Sequence, residues 1–185
     1  MKVTKTKLAG VLVFEPKVFG DRRGFFMESW NYQRYRDAGL DVKFIQSNLS
    51  KSAKGVLRGL HFQNPNPQGK LVQIITGEVF DVAVDIRRGS PTFGQWHGEY
   101  LCAANHKQLY IPEGFAHGFC VLSELAVFSY MCTSIYDAQA DCSIMWNDPT
   151  INIKWPISNP SLSAKDEQAV SLEQINQDKL PVYCY

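Results

Sequence analysis

"EVFDVAVDIR", residues 78–87, alternates without a fault: Phe80, Val82, Val84 and Ile86 fall on one face, and Asp81, Ala83, Asp85 and Arg87 on the other. A period of two is the signature of a β-strand. "KLVQIIT" (70–76) precedes it, and Gly77 and Glu78 between them predict a hairpin. Working outward, "GVLVFEP", "FIQSNLS", "GVLRGLHF", "HGEYLCA", "KQLYIP", "GFCVL" and "AVFSYMCTS" read as further strands. They are short and separated by Gly, Pro, Asn and Asp. That spacing predicts an antiparallel sandwich or barrel. Helix is sparse: "SWNYQRYRDAGL" (29–40) offers a Ser29 cap and a Gly39 stop, and "SLEQINQDK" (171–179) has a capping-box shape from Ser171 to Gln174.

The chain has 185 residues, the length of about one domain, and residues 1–185 are read as a single one. With 19 basic and 18 acidic residues scattered along it, no nucleic-acid or membrane-surface footprint is present. Anionic small molecules stay open, because a few local arginines bind them. The apolar run "LAGVLVF" (8–14) is too short for a membrane span. Five cysteines without a C-x-x-C pair suggest neither a disulfide framework nor a zinc site, and most are expected to be reduced and buried. The expectation is a soluble cytoplasmic protein.

Chemistry concentrates in "VLRGLHFQ" (56–63), which sets Arg58 and His61 in an apolar run, and in Lys70 after the loop "NPNPQG". His61 on its own reads as a hydrogen-bonded core histidine. Three cationic side chains around one barrel mouth would be a costly way to fill a core. Tyr130, on the face shared by Phe128 and Cys132, is either a core cap or a proton donor. A phenol with a pKa near 10 and an imidazole near 6.5 suit opposite ends of a proton transfer. Asp166 in "LSAKD" is either solvated beside a Ser163 cap or an orienter of His61.

"IPEGFAHGF" (111–119), with Pro112-x-Gly114-x-x-His117, resembles the second signature of cupin jelly rolls. Here, though, His61 is followed by Phe62 and Gln63 where metal-dependent cupins supply further ligands. No metal is expected. Taken together, "FGDRRGFFMES", "FIQSNLS", "GVLRGLHFQ", "QGKLVQIITGEVFDVAVDIRRGSPTFGQW", "QLYIPEGFAHGFCVLSE", "WNDPTINIKWP" and "LSAKD", in this order over about residues 8–172, resemble the dTDP-4-dehydrorhamnose 3,5-epimerase family.

The resemblance implies an all-β, cupin-type antiparallel jelly-roll barrel with a few short peripheral helices. It implies a nucleoside-diphosphate 4-keto-6-deoxyhexose as substrate and no cofactor. By the same resemblance His61 is the base, Asp166 the carboxylate behind it, Tyr130 the acid and Lys70 a stabiliser of charge at the 4-oxygen. Phe19, Arg23, Glu28, Gln46, Asn48, Arg58, His117, Tyr136 and Lys165 correspond to substrate-binding positions. Asp141 stands at a position where the family carries glutamate. Met131 stands where a lysine commonly follows the tyrosine, and alternation turns it away from Tyr130. The family forms homodimers with exchanged N-terminal segments, so Arg23 and Glu28 are expected to reach the partner's site. Open alternatives are epimerisation at a single carbon, a metal-dependent cupin, and a non-catalytic sugar-binding cupin.

Overall fold

The computed structural model describes residues 1–184. Its strands form two facing antiparallel sheets. The first has six strands: β1 (Lys2–Lys5), β2 (Leu12–Glu15), β10 (Gln108–Ile111), β7 (Lys70–Thr76), β12 (Leu125–Cys132) and β5 (Gln46–Ala53), in that spatial order. The second has five: β13 (Asp141–Ser143), β6 (Leu57–Gln63), β11 (Phe115–Val121), β8 (Glu78–Asp85) and β9 (Trp96–Cys102). A separate hairpin pairs β3 (Val18–Asp21) with β4 (Gly24–Met27). Two short helices, α1 (Tyr32–Asp37) and α2 (Ala164–Glu167), lie outside the sheets. The all-β jelly roll with peripheral helices is therefore observed. No helix among the described residues is long and apolar enough to cross a membrane.

The alternation of β8 holds, but both of its faces are buried. Phe80, Val82, Val84 and Ile86 pack outward against Ile144, Ile151, Leu172, Ile175 and Leu180 of the C-terminal third. Val79 and Ala83 join the core between the sheets, with Val72, Leu101, Phe119 and Phe128. Asp81 and Asp85 are wholly buried too. The polar-looking face is thus the interior one.

Three expectations are corrected. β7 and β8 do not form a hairpin but belong to different sheets. A single residue, Gly77 at φ +85°, separates them, which leaves no room for a two-residue hairpin turn and sends the chain across the sandwich instead. The cap of α1 is Asn31, whose Oδ1 accepts from Arg34 N at 3.2 Å, while the Ser29 carbonyl serves Tyr35 and Gln108. Residues 171–174 make the expected contact of Gln174 with the Ser171 amide but close only a turn. As for the cysteines, all five are free, Cys120 and Cys132 are buried, Cys102 and Cys142 are half-buried, and Cys184 is exposed.

One irregularity positions the site. His61 pairs with His117 and Arg58 with Phe119, so β6 takes three steps where β11 takes two. This bulge opposes Gly59 and Leu60 to Gly118 alone. In a regular strand residues 58 and 61 would face opposite ways. The extra residue resets the phase and turns both inward. Gly59 is required here: at φ +117° an added Cβ would lie 2.6 Å from both Gly118 Cα and the His117 carbonyl oxygen. Gly59→Ala is expected to lower stability by about 2 kcal/mol, read as a shifted urea midpoint. An unchanged midpoint would mean that the two backbones have room to part.

Candidate active site

Between the sheets lies a cavity of about 240 Å³ lined by Ser50, Arg58, His61, Lys70, His117, Phe119, Phe128 and Tyr130. Its apolar floor is the stacked pair Phe119 and Phe128, with ring centroids 4.1 Å apart and planes 7° apart. Around that floor stand the ionisable groups.

His61 Nε2 lies 2.5 Å from Asp166 Oδ1. The His61 side chain is 32% exposed and that of Asp166 2%, so the imidazole can meet a ligand while the carboxylate behind it cannot. Asp166 comes from α2, where the Ser163 hydroxyl donates to Oδ2 at 2.8 Å and accepts from the Asp166 amide at 3.2 Å. Ser163 therefore caps the helix and aims the carboxylate in one arrangement. Burial works to raise the Asp166 pKa, but the His61 hydrogen bond and charge, with the Ser163 hydroxyl, outweigh it and hold it below 3.8. An ionised carboxylate only accepts, so Nε2 carries a hydrogen, and Nδ1 is the ring nitrogen of His61 turned away from Asp166.

Tyr130 sits on β12, across the sandwich from β6. Burial raises its pKa, as does neighbouring Cys132, against the opposite pull of Arg58 and Asn48, so the phenol stays protonated. Met131 turns outward and packs near Phe14, Tyr35 and Leu71, as alternation requires. Lys70, at the start of β7, forms no salt bridge among the described residues, and burial lowers its pKa. Arg58 is held at Nε by Ser52 Oγ at 3.1 Å and has no carboxylate partner among the described residues. His117 is buried, its Nε2 2.9 Å from Asp81 Oδ2 and 3.1 Å from Oδ1. Among the described residues no group of three His, Cys, Asp or Glu is placed to hold a metal ion. Gln63 is engaged elsewhere, its side chain bonding Asn66 O, Ile135 O and Asp137 N.

The remaining candidates fall into three places. Gln46 and Asn48 lie on β5 beside β12, pairing with Cys132 and Tyr130, and bond each other at 3.0 Å. Tyr136, Asp141 and Lys165 form a second group: Asp141 Oδ2 accepts from Tyr136 Oη at 3.0 Å and from Lys165 Nζ. β13 brings this group near His61, since Ser143 pairs with His61 and Asp141 with Gln63. Phe19, Arg23 and Glu28 do not line the cavity. Arg23 pairs with Asp21 on the β3–β4 hairpin, and Glu28 with Arg34. Ser50, Phe119, Phe128 and Asp81 were not among the candidates. Their signal was alternation, since Ser50 shares a face with Gln46 and Asn48, and Asp81 the inward face of β8.

Fold and site together define a cupin-type jelly roll whose barrel holds a pocket of acid, base and cationic side chains. The sequence profile described as dTDP-4-dehydrorhamnose 3,5-epimerase matches residues 5–174. The dTDP-4-dehydrorhamnose 3,5-epimerase of Shigella flexneri is 60% identical over 168 residues, 90% of this chain and 93% of that protein. The crystal structure of a dTDP-6-deoxy-D-glucose-3,5-epimerase from Legionella pneumophila Philadelphia 1, in complex with dTDP-4-keto-L-rhamnose, superposes with a TM-score of 0.97 at 49% identity, covering 100% of this chain and 99% of that one. A dTDP-4-dehydrorhamnose 3-epimerase of Streptomyces niveus is 37% identical over 99% of this chain and 90% of its own. The chain belongs to the dTDP-4-dehydrorhamnose 3,5-epimerase family, whose members are isomerases.

Because Asp166 loses its proton more readily folded than unfolded, its carboxylate stabilises the fold above its ordinary pKa of 3.8. That contribution disappears as pH falls through the lower folded value. The difference in unfolding free energy between the wild type and Asp166→Asn is accordingly expected to be greatest near neutrality and to shrink in acid. Urea titrations across pH measure it, and a pH-independent difference would contradict the depressed pKa.

Proposed function

We propose that the protein inverts C3 and C5 of a dTDP-4-keto-6-deoxyhexose by proton transfer through an enolate. The observation that carries this reading is the opposition, within one cavity, of a histidine backed by a carboxylate and a tyrosine held as its phenol. The 4-keto group acidifies the hydrogens on C3 and C5. Nδ1 of His61 takes one, the C–H electrons move into the carbonyl, and charge develops on the 4-oxygen. The Lys70 ammonium, which forms no salt bridge among the described residues, stabilises that oxygen. Tyr130 delivers its proton to the opposite face of the carbon, and solvent resets both groups. Arg58 meets the diphosphate through the guanidinium edge left open by Ser52. Gln46, Asn48, Tyr136, Asp141 and Lys165 hold the nucleotide and sugar around the mouth. Relatives named as 3,5-epimerases reach 60% identity, against 37% for a relative named as a 3-epimerase, which favours inversion at both carbons.

The same reading makes the protein a homodimer in which Phe19, Arg23 and Glu28 serve the partner's cavity. In support, the hairpin exposes Phe19, Phe25 and Phe26 at 52%, 61% and 69%, an apolar surface suited to a second copy of the chain.

Proton NMR of dTDP-4-keto-6-deoxyglucose with the protein in D₂O tests the reaction. Both the C3 and C5 signals are expected to vanish, with inversion and with no effect of a chelator. Loss at one carbon only would make the protein a single-site epimerase. His61→Ala is expected to lower kcat at least a hundredfold, as loss of a general base does, and an active variant would remove His61 from its role. Tyr130→Phe is expected to keep exchange at C3 while net inversion falls about a hundredfold. Should it epimerise normally, Tyr136 becomes the acid. Arg58→Ala should raise KM about tenfold or more, and an unchanged KM would argue against phosphate contact. Mixing Arg23→Ala with His61→Ala chains should restore activity if Arg23 acts across the dimer, and no recovery would return Arg23 to its own chain.

A further inference from the structure

His61 and His117 are Cα partners across β6 and β11, and each has Nε2 on a buried carboxylate. The first dyad serves the proposed proton transfer. The second has no step in it. Asp81 is wholly inaccessible and both of its oxygens lie within 3.1 Å of the His117 nitrogen, a commitment that leaves it unable to meet a ligand. Burying a carboxylate is costly unless a donor satisfies it, so the proton between the two belongs on Nε2, and Nδ1 is the ring nitrogen left for the cavity that His117 lines.

The other lining groups give this nitrogen a role. Arg58 and Lys70 only donate hydrogen bonds, Phe119 and Phe128 do neither, His61 Nδ1 and the Tyr130 hydroxyl are committed to the proton transfer, and the Ser50 hydroxyl is the one other acceptor among the lining groups. A hexose ring bound here also presents hydroxyl donors, which need an acceptor. We infer that Asp81 is a positioning residue, fixing His117 as the Nε2–H tautomer so that Nδ1 accepts a hydrogen bond from a hydroxyl of the bound sugar. This rests on the proposed nucleotide-sugar reading for its ligand, but not for its tautomer. Burial also lowers the His117 pKa, with Lys70 and His61 acting in the same direction and the charge and hydrogen bond of Asp81 against them; these are the titratable groups that face it. A neutral ring results.

Long-range proton–nitrogen correlation spectra of the wild-type protein, with His117 assigned through His117→Gln, decide the tautomer without any ligand. The expected pattern is a protonated Nε2 and a bare Nδ1, persisting at about pH 6 where an ordinary histidine is substantially protonated. A protonated Nδ1 overturns the inference. In Asp81→Asn the amide can donate to Nε2 and drive the proton to Nδ1, the wrong-tautomer effect of replacing a histidine's carboxylate partner. KM for dTDP-4-keto-6-deoxyglucose should then rise about tenfold, more than kcat falls, with dTDP affinity unchanged because dTDP lacks the hexose. Equal weakening of dTDP and the sugar nucleotide, or an unmoved KM, would reduce Asp81 to a packing role and overturn the proposal. If Asp81→Asn fails to fold, the wild-type spectrum still decides the tautomer. A wild type that shows the expected tautomer yet exchanges no sugar proton would sink the proposed reaction and leave the positioning intact.

Discussion

The backbones of β6 and β11 touch at Gly59 and Gly118, and the rest of the cavity depends on that contact. A strand alternates its side chains strictly, so Arg58 and His61, three residues apart, cannot share a face unless one residue is added to the ladder. The added residue must sit where any side chain would strike the neighbouring strand. With the phase reset, Leu57, Leu60 and Phe62 go to the outer core under the C-terminal segment, and Arg58 and His61 go inward. The bulge therefore supplies an apolar face and a functional face from seven consecutive residues.

Facing inward carries an electrostatic cost, and the molecule meets it unevenly. Asp166 and Asp81 are each satisfied by a histidine, and Asp85 by Arg87, Ser90 and Thr92. Lys70 and Arg58 have no carboxylate partner among the described residues and keep their charge available to a ligand. An anion or an oxygen gaining negative charge is the natural complement of such a pocket. The apolar core below it, continuous from Leu8 and Val13 to Phe119 and Phe128, stabilises the sheets that hold these groups apart.

The C-terminal third does two jobs at once. Ile144, Ile151, Leu172, Ile175 and Leu180 seal the outer face of the five-stranded sheet, and the same packing carries α2 to the edge of β6. Asp166 reaches His61 across 105 residues of sequence because the segment that bears it is needed as a lid for apolar side chains. Lys165, next to it, meets Asp141 on β13.

Alternation and turn residues make most strands legible from the sequence, including β8, β6 and β12, and they orient Tyr130 inward and Met131 outward. The motifs around His61, Lys70, His117, Tyr130 and Asp166 name the groups that could do chemistry, since those depend on residue type and local period. Partnership was not legible. The crossing at Gly77, the phase reset at Gly59, the choice of Asn31 over Ser29 as a cap, and the pairing of Asp81 with His117 all turn on which segments become neighbours. The sequence by itself determined an all-β chain with a histidine, a tyrosine and two cations on its strands, because local sterics and hydropathy act within a few residues. Only the tertiary structure decided that Asp81 stands behind His117 and brought Asp166 to His61 as the family resemblance implies, because hydrogen bonds form between atoms close in space, and closeness between residues far apart in sequence is settled by packing.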